Sequence, residues 1–543
     1  MIRRSLLSLT GLLGLFLALP GHGAGAAGAE RDGAAATFTN PVAHSSDPWI
    51  LRYNGAYYFT GTDGCDAGYL CVWQSATITG LGSATRYDAF RLPACPAPNC
   101  AQAWAPEIHA INGRFYLYYA ADDGTDANHR IYVADAASPT GPYAESDTGY
   151  PHGQLHEASD LWAIDPDVFQ TADGRLYATW SGWPTSGGGQ QDIYLAPMSD
   201  PLHLSGSRVQ VSAPTRPWET VGFGVDEGPV GFQHGGRTYI TYSASFCGTS
   251  SYAVGLLTNT DGNLLSAGAW TKTGPHFKFH SGVNAPASFV PTQSPDGTED
   301  WFLVHSNTNA CDSGRVIRAQ RLYWDTDGTP LLGYPVADGV PLAPPSGELG
   351  STGGPNPFTQ GWGPAFGDAA EGVADGGPLG SWTVTGPTGA DLTSFGGTAW
   401  TRLFRASNPN YEKYTVTADA RWLATGTTSA YPKYGIYACY DDRNNHVEVF
   451  IDRKYMVLAT HAVVQGTEQA WQNAALPSGF DPTQYHRLTV AKSGAAFTFS
   501  LDGKQLQQRT FSGAFPVLLN GQVGLVTEDT RASYRNVTIS NTQ

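Results

Sequence analysis

The chain of 543 residues is predicted to be all-β: a five-bladed β-propeller followed by a jelly-roll β-sandwich. Three observations predict this. With 65 glycines, 12% aromatics and only 14% charged residues, the composition suits short strands joined by glycine-rich turns and not helical bundles. A strand–turn–strand unit recurs at near-constant spacing, beginning at Ser46, Ala105, Ile164, Asp226 and Ala285. Beyond a Gly/Pro-rich stretch, strictly alternating segments such as "YTVTADARW", "HVEVFID" and "HRLTVAK" take over, the pattern of half-buried antiparallel strands.

The N-terminus, "MIRRSLLSLTGLLGLFLALPGHGAGAAGAE", places two arginines before an apolar stretch and then small residues. It reads as a secretory leader over residues 1–29. Its removal takes away Arg3 and Arg4 and no acid, leaving a chain already at -16 still more acidic. Such a charge excludes a nucleic-acid footprint. No later segment is long and apolar enough for a membrane helix, so a secreted monomer is expected. Export permits disulfides. Local pairs Cys65–Cys71 and Cys95–Cys100 are the economical expectation, and a longer Cys247–Cys311 bridge would leave Cys439 as a buried free thiol; the sequence alone does not fix the connectivity.

The repeat occupies residues 37–345. Each unit has an acid or proline head, a short apolar strand, a turn and an aromatic second strand. The turns are Asn54-Gly55, Asn112-Gly113, Asp173-Gly174, Gly235-Gly236 and Asp296-Gly297, which supply the positive φ of tight hairpins. Each unit has room for four strands and so for one propeller blade; a solenoid is the competing reading, but its repeats are usually shorter. Inner strands line a propeller's axis, so Asp47, Asp165 and Glu227, at three heads, converge. One acid before a proline is ordinary turn chemistry; three in register around one axis point to catalysis. Glu107 and Asp167 are expected to bond backbone groups or support the site by a salt bridge.

The motifs "SSDPWI", "WAPEIH", "AIDPDVF", "GQQDIYLAPMSDP", "DEGPVGF" and "SPDGTEDWFLVH", in this order at blade spacing, resemble glycoside hydrolase family 43 over Asn40 to Leu342, most of all its secreted α-L-arabinofuranosidases and exo-arabinanases. The resemblance implies an inverting hydrolase. Asp47 matches the general base, Glu227 the general acid, and Asp165 the residue that orients the acid and tunes its pKa. Trp104 resembles a wall of the sugar pocket, and Arg315 in "SGRVIRAQRLYW" resembles an arginine on the terminal sugar's hydroxyls. Many relatives carry "GPGH" at the fifth blade, whose histidine helps hold an axial calcium. Here "GVNAPASF" puts Pro286 in its place, so no cofactor is expected to be required and the calcium is left in doubt. The chemistry needs a proton donor and a water-activating carboxylate. Exo action on α-L-arabinofuranosyl ends of plant cell-wall arabinan, arabinoxylan or derived oligosaccharides is the expected activity. D-xylosyl or D-galactofuranosyl ends are the alternatives, and a glycan-binding propeller without catalysis is the reading from another class.

Residues 346–363 read as a linker and residues 364–543 as the sandwich. Its run "YHRLTVAKSGAAFTFSLDGKQL" resembles the concanavalin-like modules attached to carbohydrases, which implies a sugar-binding role.

Overall fold

The computed structural model describes residues 36–541, apart from 281, 308–310, 312–313, 350, 352–357, 364, 366–380, 395–399, 407–412, 427–429 and 512–520. The leader expected over 1–29 lies outside the described residues. Among them no helix is long and apolar enough to cross a membrane.

The fold is all-β, with five blades and then a sandwich. Blade 1 runs Trp49–Tyr53, Ala56–Thr60, Tyr69–Ser75, Thr85–Arg91. The inner strands of blades 2 to 5 are Ala101–Ile111, Ala163–Gln170, Asp226–His234 and Ala287–Gln293. Blades 1 to 4 are meanders of antiparallel strands read outward in chain order, and the first three strands of blade 5 follow the same rule. The turns divide into two kinds. In Asn54-Gly55, Asn112-Gly113 and Gly235-Gly236 both residues have positive φ, whereas at Asp173-Gly174 and Asp296-Gly297 only the glycine does. There the aspartates instead fold over wider loops, Asp173 accepting the Thr171 hydroxyl and Asp296 that of Ser294.

The ring is closed by the first strand of the chain. Ala43–His44 pairs with Val316–Trp324, the third strand of blade 5, and Asn40 exchanges two hydrogen bonds with the Ala319 backbone. The hydrophobic core of the propeller is divided into wedges between neighbouring blades. Ile108 and Leu117 meet Leu70 and Val72, Val168 and Trp180 meet Ile131 and Val133, and Leu303 and Ile317 meet Ile50 and Phe59.

The sandwich packs a sheet of eight described strands on one of seven. Alternation is realised here as a single core. Ile436, Val449, Leu458 and Leu525 of the first sheet meet Val416, Leu488, Val490 and Phe499 of the second. Several residues of the segment expected as linker are packed. Glu348 is buried and accepts the Ile78 amide of the propeller, and Trp362 pairs with Arg405 in the sandwich. The two domains meet through buried polar contacts. Lys278 Nζ lies 3.0 Å from Asp441, His280 Nε2 lies 3.5 Å from Asp442, and the Tyr334 hydroxyl donates to the Tyr440 carbonyl. Disulfides join Cys65–Cys71, Cys95–Cys100 and Cys247–Cys311, and Cys439 is a buried free thiol.

Candidate active site

The heads share one backbone device. Asp47, Ala105, Asp165, Gly228 and Ser288 all have positive φ, between 44° and 56°, and the first four precede a proline. In blades 2 to 5 the ladder slips at this residue, for example between Ile164 and Asp167 and between Glu227 and Val230. A bulge turns the strand and re-aims its side chains. Only glycine is at ease in this region; an aspartate or alanine there costs on the order of 1–3 kcal/mol, which the surrounding fold must hold in place. The register is finer than the repeat suggests. Asp165 is itself the bulged residue and Asp47 holds the matching place just ahead of the regular blade 1 ladder, but Glu227 stands one place earlier, before Gly228. Glu107 and Asp167 stand two places later than the bulge, at matching positions in adjacent blades.

All five residues singled out in the sequence line one cavity of about 660 Å³: Asp47, Trp104, Asp165, Glu227 and Arg315. Asp47 is the most firmly held. Its Oδ2 accepts the Thr62 hydroxyl at 2.7 Å, its Oδ1 faces Arg315 Nη1 at 2.9 Å, and its backbone N–H donates to His305 Nδ1. Thr62 in turn accepts the Ala105 amide, so the bulge of blade 2 helps set the carboxylate of blade 1. Glu227 accepts the Tyr252 hydroxyl at 2.7 Å, and the Tyr252 ring lies over His305. The supports of Asp47 and Glu227 therefore touch. Asp165 Oδ2 accepts the Gly228 amide at 3.0 Å, one residue from Glu227. Trp104 is stacked on His129 at 4.0 Å and half-buried, with the stacked pair Trp162 and Trp183 further along the wall. Arg315 is no surface ion pair: its side chain is buried against Asp47.

Burial sets the protonation pattern. It pushes Glu227 up to about 7, assisted by the charge of Asp47 and opposed by the Tyr252 hydrogen bond and Arg315. It also raises Asp165 well above the carboxylate range, with further upward pressure from Glu227 and Asp47. Repulsion between two charges is mutual, so Asp165 and Glu227 together resist the loss of their last proton near neutrality. The main cause at Glu227 is nonetheless burial, an effect beyond the tuning by Asp165 that the family resemblance implies. Deeper in, Asp167 Oδ2 accepts the Gly231 amide, and Glu107 lies 3.1 Å from His109 Nε2. Glu107 is raised well above its usual value by burial and then by the charges of Asp167 and Asp165.

Neither residue near the "GPGH" position fits as a histidine ligand for an axial calcium. The Pro286 side chain has no ligand atom. His305 Nδ1 accepts a backbone N–H, so the neutral ring carries its proton on Nε2, and burial holds the ring neutral. Tyr252, Thr62 and His305 escape a reading of the sequence. Thr62 and Tyr252 flank strands and His305 ends one; nothing local marks them, and only blade packing brings them to the acids.

A propeller that gathers buried carboxylates of contrasting surroundings beside a wall of tryptophans is the framework of an acid–base enzyme for sugars. The family model for glycosyl hydrolases family 43 matches residues 38–330, and the chain belongs to that family. It is similar to an extracellular exo-α-(1→5)-L-arabinofuranosidase of Streptomyces avermitilis, with 35% identity over 56% of this chain and 65% of the relative. A Streptomyces chartreusis protein of the same name is 32% identical over 56% of this chain and 91% of its own length. A crystal structure of an α-L-arabinofuranosidase from Lactobacillus brevis superposes with a TM-score of 0.51 at 30% identity, covering 55% of this chain and 97% of that one. The chain spans less than two thirds of the length of several curated relatives, 65% for the S. avermitilis protein and 63% for α-L-arabinofuranosidase 43 of Humicola insolens.

Proposed function

We propose that the protein is a secreted, monomeric, inverting exo-glycosidase. It releases terminal α-L-arabinofuranosyl units from plant cell-wall arabinan, arabinoxylan or oligosaccharides derived from them. The observation that carries the reading is the contrast between Asp47 and Glu227 in one cavity. Asp47 sits against a guanidinium, the natural partner of a carboxylate anion, while Glu227 is half-buried in the cavity wall and raised by desolvation to about 7.

In this mechanism Glu227 protonates the departing glycosidic oxygen. Asp47 takes a proton from a water on the opposite face of the sugar, and that water attacks the anomeric carbon. Arg315 and Thr62 hold Asp47 in its acceptor geometry, and spare donors of Arg315 serve the sugar hydroxyls. Asp165 orients the acid through the Gly228 amide and shares its proton load. Trp104 forms a wall for the sugar ring. No step is assigned to a metal, and the proposal includes no cofactor. The arabinosyl assignment rests on relatives whose names specify that sugar. A panel of nitrophenyl α-L-arabinofuranoside, β-D-xyloside and β-D-galactofuranoside tests it, with product configuration followed by proton NMR. The arabinofuranoside should be hydrolysed fastest, with inversion. Retention would overturn the mechanism, preference for another sugar the substrate, and no hydrolysis of any the enzyme itself.

A further inference from the structure

The sandwich holds a second cluster with chemistry of its own, on the face of its eight-stranded sheet opposite the main core. His446 and Glu448 lie two residues apart on the strand Asn445–Asp452 and so share a face. His461, on Val457–Val464, is the direct cross-strand partner of Glu448. All three are buried, and one ligand atom from each lies within 4.8 Å of the others. We propose that His446, Glu448 and His461 form a binding site for a divalent transition-metal ion of the zinc type.

The hydrogen bonds around the cluster carry the inference. His446 Nδ1 lies 3.3 Å from the Asp442 carbonyl, and His461 Nε2 lies 3.1 Å from Glu468 Oε1. A carbonyl and a carboxylate oxygen can only accept. Each imidazole therefore spends its N–H outward and keeps its other nitrogen for the cluster. Histidine ligands of metals are oriented by such outer carbonyls and carboxylates. Glu468 is itself fixed by the Trp471 indole N–H, and the Trp471 ring is stacked on His461 at 4.2 Å. Inside, His461 Nδ1 faces Glu448 Oε1 at 2.7 Å, and Glu448 Oε2 is buried and makes no hydrogen bond of normal geometry among the described residues. Without an ion, a proton must lie between Nδ1 and Oε1, and the second oxygen remains unsatisfied, which is unfavourable for a buried acceptor. An ion removes both problems: that proton leaves to solvent, and the orphan oxygen gains a ligand bond.

Two imidazoles and one carboxylate select zinc, cobalt, nickel or copper over calcium or magnesium. Ligand atoms around a tetrahedral ion lie roughly 3.3 Å apart, so modest side-chain rotations close the site. The ion would pin two neighbouring strands and, through Glu468 and Trp471, the hairpin beyond them.

The test uses the full chain, stripped with chelator and titrated with cobalt(II). One equivalent should bind, with the visible ligand-field bands of a low-coordinate nitrogen/oxygen site. In proton NMR of the cobalt form, two solvent-exchangeable, hyperfine-shifted signals should mark Nδ1–H of His446 and Nε2–H of His461. His446→Gln and Glu448→Gln should each weaken binding at least 100-fold while leaving aryl-glycoside hydrolysis, a check on folding, unchanged. His109→Gln in the propeller should bind cobalt as the native chain does. Absence of a bound equivalent, or of the two exchangeable signals, would overturn the site, as would equal binding by the His446 and Glu448 variants.

Discussion

The two domains use the same strands to opposite ends. In the propeller, apolar residues are shared out among wedges between blades, and the axis is left to polar side chains delivered by repeated bulges. In the sandwich, one continuous core takes the apolar residues of both sheets, and no sandwich residue is among those lining the catalytic cavity. A repeated fold can therefore place strained, buried carboxylates at its centre because no single wedge depends on that centre for its packing. A two-layer fold has its centre occupied by the core.

The sharpest way to break this comparison is at the acids. Asp47→Asn should lower hydrolysis of natural and activated aryl glycosides alike, by a factor of about 10²–10⁴. Glu227→Gln should do so for natural substrates but spare a dinitrophenyl glycoside, whose leaving group needs little protonation. Steady-state kinetics on the two substrates decides, and the reverse pattern would exchange the two roles.

Stability gives the next test. Phe499 is fully buried in the sandwich core, and Phe499→Ala should cost about 3–5 kcal/mol. Calorimetry should show a lowered sandwich transition while aryl-glycoside turnover persists below it. Loss of both together would mean that the domains do not behave separately.

At the propeller's axis the expected sign is the reverse. The carboxyl of Glu227 is raised from 4.5 to about 7 in the folded chain, so the folded state holds a proton that the unfolded state releases. Stability is then lost as pH rises from the unfolded value to about 7, at roughly 1.4 kcal/mol per pH unit. Glu227→Gln removes that loss. Its melting temperature should exceed that of the native chain by a gap that widens from pH 5 to 7 and then levels off.

A smaller effect is expected on the pH profile. Tyr252→Phe removes a hydrogen bond that lowers the Glu227 pKa, so the basic limb of activity should move up, by about one unit or less. Asp165→Asn removes a neighbouring acid whose charge would raise it, and the limb should move down. The smallest effect is a predicted absence. A chain ended near Leu349 should keep its aryl-glycoside rate within about twofold; a larger loss would show that the sandwich shapes the cavity after all.

The repeat was legible because its demands are local. A proline after each of four heads and a glycine in every turn are visible one unit at a time. The offset of Glu227 from Asp165 was not legible, since only the slipped ladder reveals which residue is bulged. Arg315 was found through the resemblance, but its pairing with Asp47 depends on blade 5 closing against blade 1. Thr62, Tyr252 and His305 are ordinary residues until three blades converge. In the sandwich, alternation announced the strands, yet the facing of Glu448 and His461 depends on a register that alternation leaves open.

Ring closure has a consequence in time. The strand Ala43–His44 ends three residues before Asp47, and the partners of Asp47, His305 and Arg315, are supplied by the last blade. As the ribosome releases the chain, Asp47 and Thr62 emerge early, whereas His305 and Arg315 emerge only with the fifth blade. The cavity therefore has no finished geometry until the two ends of the propeller have met. A chain that crossed a membrane unfolded would lack this geometry in transit and gain it only once the two ends of the propeller had joined.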